Sequence, residues 1–95
     1  MEYFDQITLD LTDEDYEVRG VAARSLGELG DSRAVDPLVA TLEDEDGRVR
    51  EEAAWALGEI GDPRAVEPLT CAAQNDRDKD VRKAASEALE KIGAE

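Results

Sequence analysis

The sequence contains one 31-residue segment twice and part of the same segment a third time. Residues 9–39 align with residues 40–70 with identity at 18 of 31 positions, and residues 81–93 align with residues 49–61 at an offset of 32. Repeats of this length are typical of arrays in which each unit buries its apolar face only against its neighbours. The repeat therefore predicts a stack of small, similar units.

Each copy has the pattern of a long helix that ends at a glycine. The long helix is predicted at about 15–29, 47–60 and 79–92. The residue after each of these segments is a glycine, which suits the left-handed backbone just past a helix end. These residues are Gly30, Gly61 and Gly93.

A shorter helix is predicted at about 32–43 and 63–74, and residues 2–11 supply its counterpart in the first unit. Asp31 and Asp62 are N-cap candidates, and Pro37 and Pro68 predict a kink or a loose first turn. No segment has a strand pattern. Residues 1–95 are thus predicted to form one all-α domain, an α-solenoid of three helical hairpins and about six helices, with units at about 1–30, 31–61 and 62–93.

The shared string VRxxAAxxLGxxGDxRAVxPL resembles HEAT repeats, in particular the short HEAT-like repeats of phycobilisome lyase subunits. The resemblance implies that the first helices lie on a convex face and the second helices line a concave one. It also implies an Asp–Arg ladder that joins neighbouring units, with each arginine six residues after an aspartate. The ladder residues are Asp13, Arg19, Asp44, Arg50, Asp76 and Arg82, and an extra residue near Asn75 changes the spacing before the third pair.

The long helix separates shared from variable positions. In the first copy Val18, Ala22, Leu26 and Leu29 form an apolar stripe that is predicted to be core. The positions that differ between copies lie on the opposite side, so packing does not dictate them. We expect a protein-binding concave face made of Arg24, Glu28, Arg48, Glu51, Glu52, Trp55, Glu59, Lys83 and Glu87.

Trp55 is the central residue of this expected face, where Arg24 and Glu87 occupy the same site in the other copies. An exposed tryptophan with charged neighbours has the composition of an interface hot spot. The alternative is that the indole packs over neighbouring aliphatic stems and contributes to stability.

The chain carries 25 acidic and 11 basic residues, a net charge of −14. Such a surface repels nucleic acids and anionic membranes, so the expected partner is another protein or peptide of basic character. The acidity also fits adaptation to a high-salt cytoplasm. The chain start lacks a signal-peptide pattern, and the single cysteine, Cys71, is predicted to be a small buried residue, so the expected location is cytoplasmic.

Catalytic motifs are missing from the sequence. The chain has no histidine, which removes the commonest general base and the His–Glu pairs on which iron-dependent HEAT-like hydroxylases depend. Asp76, Asp78 and Asp80 have the spacing of a calcium loop, but Val81 replaces the glycine that its sharp turn needs. We therefore expect no metal, no cofactor and no enzymatic activity.

The resulting hypothesis is a non-enzymatic protein-binding scaffold or adaptor, present as a monomer or as a weak homodimer through the solenoid ends. Two alternatives stay open. One is a subunit of a lyase-like complex that attaches a bilin, and the other is a purely structural or designed repeat protein.

Overall fold

The computed structural model describes residues 2–93, which form six α-helices and no strand. The helices are α1 (Tyr3–Asp10), α2 (Tyr16–Leu29), α3 (Val35–Thr41), α4 (Gly47–Ile60), α5 (Val66–Asn75) and α6 (Lys79–Ile92). Single 3₁₀ turns, Ser32–Ala34 and Pro63–Ala65, precede α3 and α5. The predicted all-α solenoid is confirmed, with α1–α2, α3–α4 and α5–α6 as its three hairpins.

The long helices end at glycines in left-handed backbone. The φ angles of Gly30, Gly61 and Gly93 are 68°, 75° and 83°. After the first two, Asp31 and Asp62 accept a hydrogen bond from the backbone N–H two residues later. These caps hold the chain in one 3₁₀ turn before the α-helix begins, which is the loose first turn expected from the sequence.

The proline of the short helix does not kink it. Pro37 is the third residue of α3 and Pro68 is the third residue of α5. The first four amides of an α-helix have no partner within the helix, so a proline there removes no hydrogen bond.

The second helices form the closely packed layer of the solenoid. α2 packs on α4 and α4 packs on α6, whereas α1, α3 and α5 have few contacts with one another. A Cβ atom built on Gly27 would lie 2.7 Å from the Cα of Ala56, and one built on Gly58 would lie 2.8 Å from the Cα of Ala88. Because the second helices approach each other closely and the first helices diverge, α2, α4 and α6 form the inner, concave side.

The core is made of aliphatic residues at equivalent positions of the units. Leu26, Leu38, Leu57 and Leu69 are fully buried. The predicted stripe is wrong at Leu29, which is 47% exposed. The buried side of α2 is rotated toward Ala23 and Gly27, because α2 packs against α4 as well as against α1.

The prediction of a buried Cys71 is also wrong, since its side chain is exposed. It lies on α5, where it lines an open groove beside α3. No helix between residues 2 and 93 combines the length and the apolar composition that a membrane crossing needs.

Candidate interaction face

The concave face is the exposed side of α2, α4 and α6, and the nine residues expected there lie on these three helices. Glu52 and Trp55 are half-buried, and the other seven are exposed. These seven are Arg24 and Glu28 on α2, Arg48, Glu51 and Glu59 on α4, and Lys83 and Glu87 on α6. This part of the surface is therefore dominated by charged side chains around one half-buried aromatic ring.

Trp55 connects all three units. Its ring packs against the core. Its Cζ3 atom lies so close to Gly27 that a Cβ atom built on this glycine would be 2.8 Å from it. The guanidinium carbon of Arg24 lies 4.6 Å from the ring centroid, and Nζ of Lys91 lies 5.8 Å from it. The indole thus packs on the neighbouring unit through one part and contacts two cations with another.

Ion pairs tie the helices of the face together. Nη1 of Arg24 lies 3.2 Å from Oε1 of Glu52, which joins α2 to α4. Lys91 pairs with Glu59, which joins α6 to α4. Both pairs are partly exposed, and such pairs contribute about 0–1 kcal/mol each. They orient side chains more than they stabilise the fold.

Negative charge is concentrated where α4 and α6 begin. Partial burial raises the pKa of Glu51, and the negative charges of Asp80, Glu52 and Asp78 raise it further. Arg48 opposes this effect. A carboxylate held in such surroundings gains from any cation that approaches it.

The α6 residue over the tryptophan differs from the one expected. Lys91, one turn after Glu87, is the α6 charge placed over the ring of Trp55. The expected row of Arg24, Trp55 and Glu87 is therefore shifted at its last position. Lys91 aligns with Glu28 and Glu59 in the repeat, so the sequence held a signal for including it.

The Asp–Arg ladder lies near the turns that precede the long helices. Nε and Nη2 of Arg19 donate to the Asp44 carboxylate at 2.8 and 3.1 Å, and Nη1 donates to the carbonyl oxygen of Asp13 at 2.8 Å. Arg50 repeats this arrangement with the Asp76 carboxylate and the Asp44 carbonyl. Each arginine thus joins the turn of its own unit to the turn of the next.

The extra residue near Asn75 does not disturb the second rung. Arg50 and Asp76 are 26 residues apart and Arg19 and Asp44 are 25 apart, yet both pairs are bidentate. Burial alone would raise the pKa of Asp76, but hydrogen bonds from Arg50 and from the Asp78 amide lower it below the usual value.

Within residues 2–93 the ladder is incomplete at both of its ends. Nη1 of Arg82 donates to the Asp76 carbonyl at 2.7 Å, and no carboxylate within residues 2–93 pairs with this arginine. Asp13 accepts a hydrogen bond from the amide of Asp15, and no arginine side chain of the described chain contacts its carboxylate.

The calcium-like spacing does not produce a cation site in the described residues. Asp76 is bound to Arg50, and Asp78 caps α6 by accepting from the amide of Asp80. No group of three or more His, Cys, Asp or Glu side chains in residues 2–93 is arranged to hold a metal ion.

Comparison with known families and structures assigns the repeat. A family model for HEAT repeats matches residues 6–90. No curated protein is significantly similar to this sequence.

Solved structures resemble the whole chain. One is a chain of the complex of CpcE and CpcF of phycocyanin lyase from Nostoc, with 34% identity, a TM-score of 0.88 and coverage of 97% of this chain and 38% of that one. Human deoxyhypusine hydroxylase has 30% identity, a TM-score of 0.87 and coverage of 95% and 32%. An engineered protein has 27% identity, a TM-score of 0.79 and coverage of 97% and 46%. The present chain thus spans less than half of each.

Proposed function

Since the chain belongs to the HEAT repeat family, we propose that it is a non-enzymatic scaffold or adaptor whose concave face binds a basic segment of another protein. The observation that carries this proposal is Trp55, a half-buried ring placed centrally among charges from all three units. Aromatic residues that are anchored on one side and accessible on the other are typical centres of binding energy.

The charge of the face favours a basic partner. The raised pKa of Glu51 reports partial burial and unbalanced acid around it, and the chain as a whole carries a net charge of −14. A lysine or arginine that approaches Glu51 would lower this repulsion and would speed association by electrostatic steering. The partner segment is thus proposed to carry positive charge at the start of α4 and an apolar or aromatic group over Trp55.

The absence of enzymatic activity is part of the proposal. The chain has no histidine for general base catalysis, and its single cysteine lies on the outer side of the solenoid, away from the concave face. Similarity to a hydroxylase covers only 32% of that protein.

The similarity to the phycocyanin lyase complex suggests a second candidate function. In this function the chain is one subunit of a lyase-like assembly that handles a bilin. A tetrapyrrole needs an apolar groove, whereas the concave face is mainly charged. Mixing the purified protein with a bilin and recording the visible absorbance separates the two functions, because a shifted spectrum would support the lyase-like role.

The test of the main proposal uses partner capture from the native cell, followed by titration of the purified partner. Trp55→Ala is expected to weaken binding about tenfold or more while the far-ultraviolet circular dichroism stays nearly unchanged. Loss of helicity in parallel with binding would instead assign Trp55 to the core.

A charge-reversal pair checks where the partner binds. Glu51→Lys on the concave face is expected to weaken binding, whereas Glu43→Lys, the same change at an exposed site that follows α3, is expected to leave it unaltered. Equal effects of the two variants would show that only the overall charge matters and would contradict a site on the concave face.

A further inference from the structure

The two ends of the solenoid differ in character. The large hydrophobic side chains that are exposed in residues 2–93 all belong to the first unit. They are Tyr3, Leu9, Tyr16, Val21 and Leu29. The exposed residues of α6, the last helix of the stack, are polar instead, as expected of a terminal capping unit. The third unit thus exposes polar residues to solvent, whereas the first unit exposes large apolar ones.

The internal interfaces show what the first unit lacks. Val49 and Val81 are fully buried, whereas the equivalent Val18 is half-exposed. Ala56 and Ala88 pack against a glycine of the preceding unit, and the equivalent residue of the first unit is Ser25. Ser25 and Val18 line an open groove of about 440 Å³ between α1 and α2.

Asp13 is prepared for a ladder contact that the described chain does not make. Its carboxylate accepts a hydrogen bond from the amide two residues later at 2.9 Å, as those of Asp44 and Asp76 do. In the second and third units that same conformation receives a bidentate arginine from the preceding unit, and only 12% of the Asp44 side chain and 9% of the Asp76 side chain stay exposed. Asp13 is exposed.

A second copy of this chain does not fit the vacant position. Each internal interface uses an arginine and, eight residues later in the same helix, a glycine against which the next unit packs. These pairs are Arg19 with Gly27 and Arg50 with Gly58. The third unit has Glu90 at the glycine position, and at Gly27 and Gly58 even a Cβ atom would meet backbone. Pairing two first units with each other would instead place the acids around Asp13 against the same acids of the other copy.

We propose that the N-terminal end face, formed by Tyr3, Asp13, Val18, Val21, Ala22 and Ser25, docks a HEAT-type helical hairpin of another chain. The second helix of that hairpin carries an arginine that binds Asp13 and, eight residues later, a glycine that lies against Ser25. The contact continues the two internal interfaces outward by one unit, with the same ladder geometry and the same close approach of helices.

The test uses this chain to build the missing partner. Glu90→Gly together with Ser86→Ala gives α6 the pattern of α2 and α4, with Arg82 eight residues before a glycine. This donor variant is labelled at Cys71, which faces α3 and therefore points away from the modified end. At trace concentration it is titrated with the unlabelled wild-type chain, and fluorescence anisotropy is expected to rise and saturate. No rise would overturn the proposal.

Matched acceptors locate the contact. Asp13→Asn is expected to weaken binding about three- to tenfold, because it removes the charge of a bidentate ion pair, whereas Asp36→Asn on α3 removes the same charge without effect. Val21→Asp is a second acceptor change at an exposed site, chosen because it spares folding, and it is also expected to weaken binding. Unchanged affinity for both end-face variants would refute the site.

Two further controls distinguish docking at the end face from self-association and from binding at the concave face. A labelled chain without the two donor substitutions is expected not to bind, and a wild-type dimer in sedimentation velocity would show that the face serves a second copy instead. Glu51→Lys on the concave face is expected to leave donor binding intact. The two proposed surfaces can therefore be tested independently of each other. Circular dichroism confirms that each variant is folded.

Discussion

Single glycines set how closely the units of this protein approach one another. Gly27 and Gly58 leave space that the backbone of the next long helix fills, and at Gly27 the ring of Trp55 uses part of the same space. The repeat pattern identified both glycines as shared positions, but it did not show what lies against them. The neighbour of each glycine depends on the offset between adjacent helices, which a single sequence does not specify.

A Cβ at the close-approach positions is expected to destabilise the protein. Gly27→Ala pushes α2 away from α4, and Gly58→Ala pushes α4 away from α6. Each change is expected to lower the free energy of unfolding by about 1–3 kcal/mol. Gly20→Ala is the matched control, since its Cβ would lie 3.9 Å from the nearest atom and alanine favours the helix by about 0.5–1 kcal/mol. Urea denaturation measures both changes, and equal effects would contradict this role of the two glycines in packing.

At the scale of helices and turns, the ladder shows where sequence reasoning reached its limit. The resemblance to HEAT repeats implied that aspartates and arginines six residues apart join neighbouring units. It did not predict that each guanidinium group binds the backbone carbonyl of its own turn and the carboxylate of the next one. The pairing depends on how neighbouring hairpins stack, which a single sequence does not specify.

Removing the arginine of a complete rung is expected to cost much more than removing the terminal one. Arg50 and Asp76 are nearly buried, so Arg50→Met leaves an unpaired carboxylate and should lower the free energy of unfolding by about 2–4 kcal/mol. Arg82→Met removes the same side chain from a position with no carboxylate partner in residues 2–93 and should cost less than half of that. Thermal denaturation of the two variants gives the comparison, and similar losses would argue against the ladder as a source of stability.

The same rung gives the protein an acid-sensitive contact. The pKa of Asp76 is lowered in the folded state, so its contribution to stability is present above the ordinary carboxyl pKa of about 3.9 and is lost as pH falls through the lowered value. Asp76→Asn should therefore be less stable than the wild type at neutral pH, with the difference shrinking below pH about 4. Unfolding measured across this range would contradict the assignment if the difference stayed constant.

At the scale of the whole molecule, the repeat alone carried the fold prediction. Helix order, capping glycines and hairpin pairing all followed from one 31-residue pattern, because equivalent residues pack in the same way in every unit. The ends were not predictable in this way. Val18 occupies a core position by pattern, yet it is half-exposed, because the first unit has no described neighbour to cover it.

The net charge of −14 predicts a salt-dependent stability. Screening shortens the reach of charge repulsion from about 10 Å in 0.1 M salt to about 3 Å in 1 M salt. If the acidity is an adaptation to high salt, the midpoint of thermal unfolding should rise steeply toward molar KCl, because repulsion between the carboxylates is screened. A midpoint that is insensitive to KCl would count against such an adaptation and would favour acid placed for a partner.

The extra residue between α5 and α6 has a consequence for how such arrays diverge. The turn absorbs the extra residue, because the bidentate contact of Arg50 with Asp76 is kept between the second and third units. An insertion at such a turn therefore need not separate neighbouring units, so unequal spacing between repeats is poor evidence against a ladder contact.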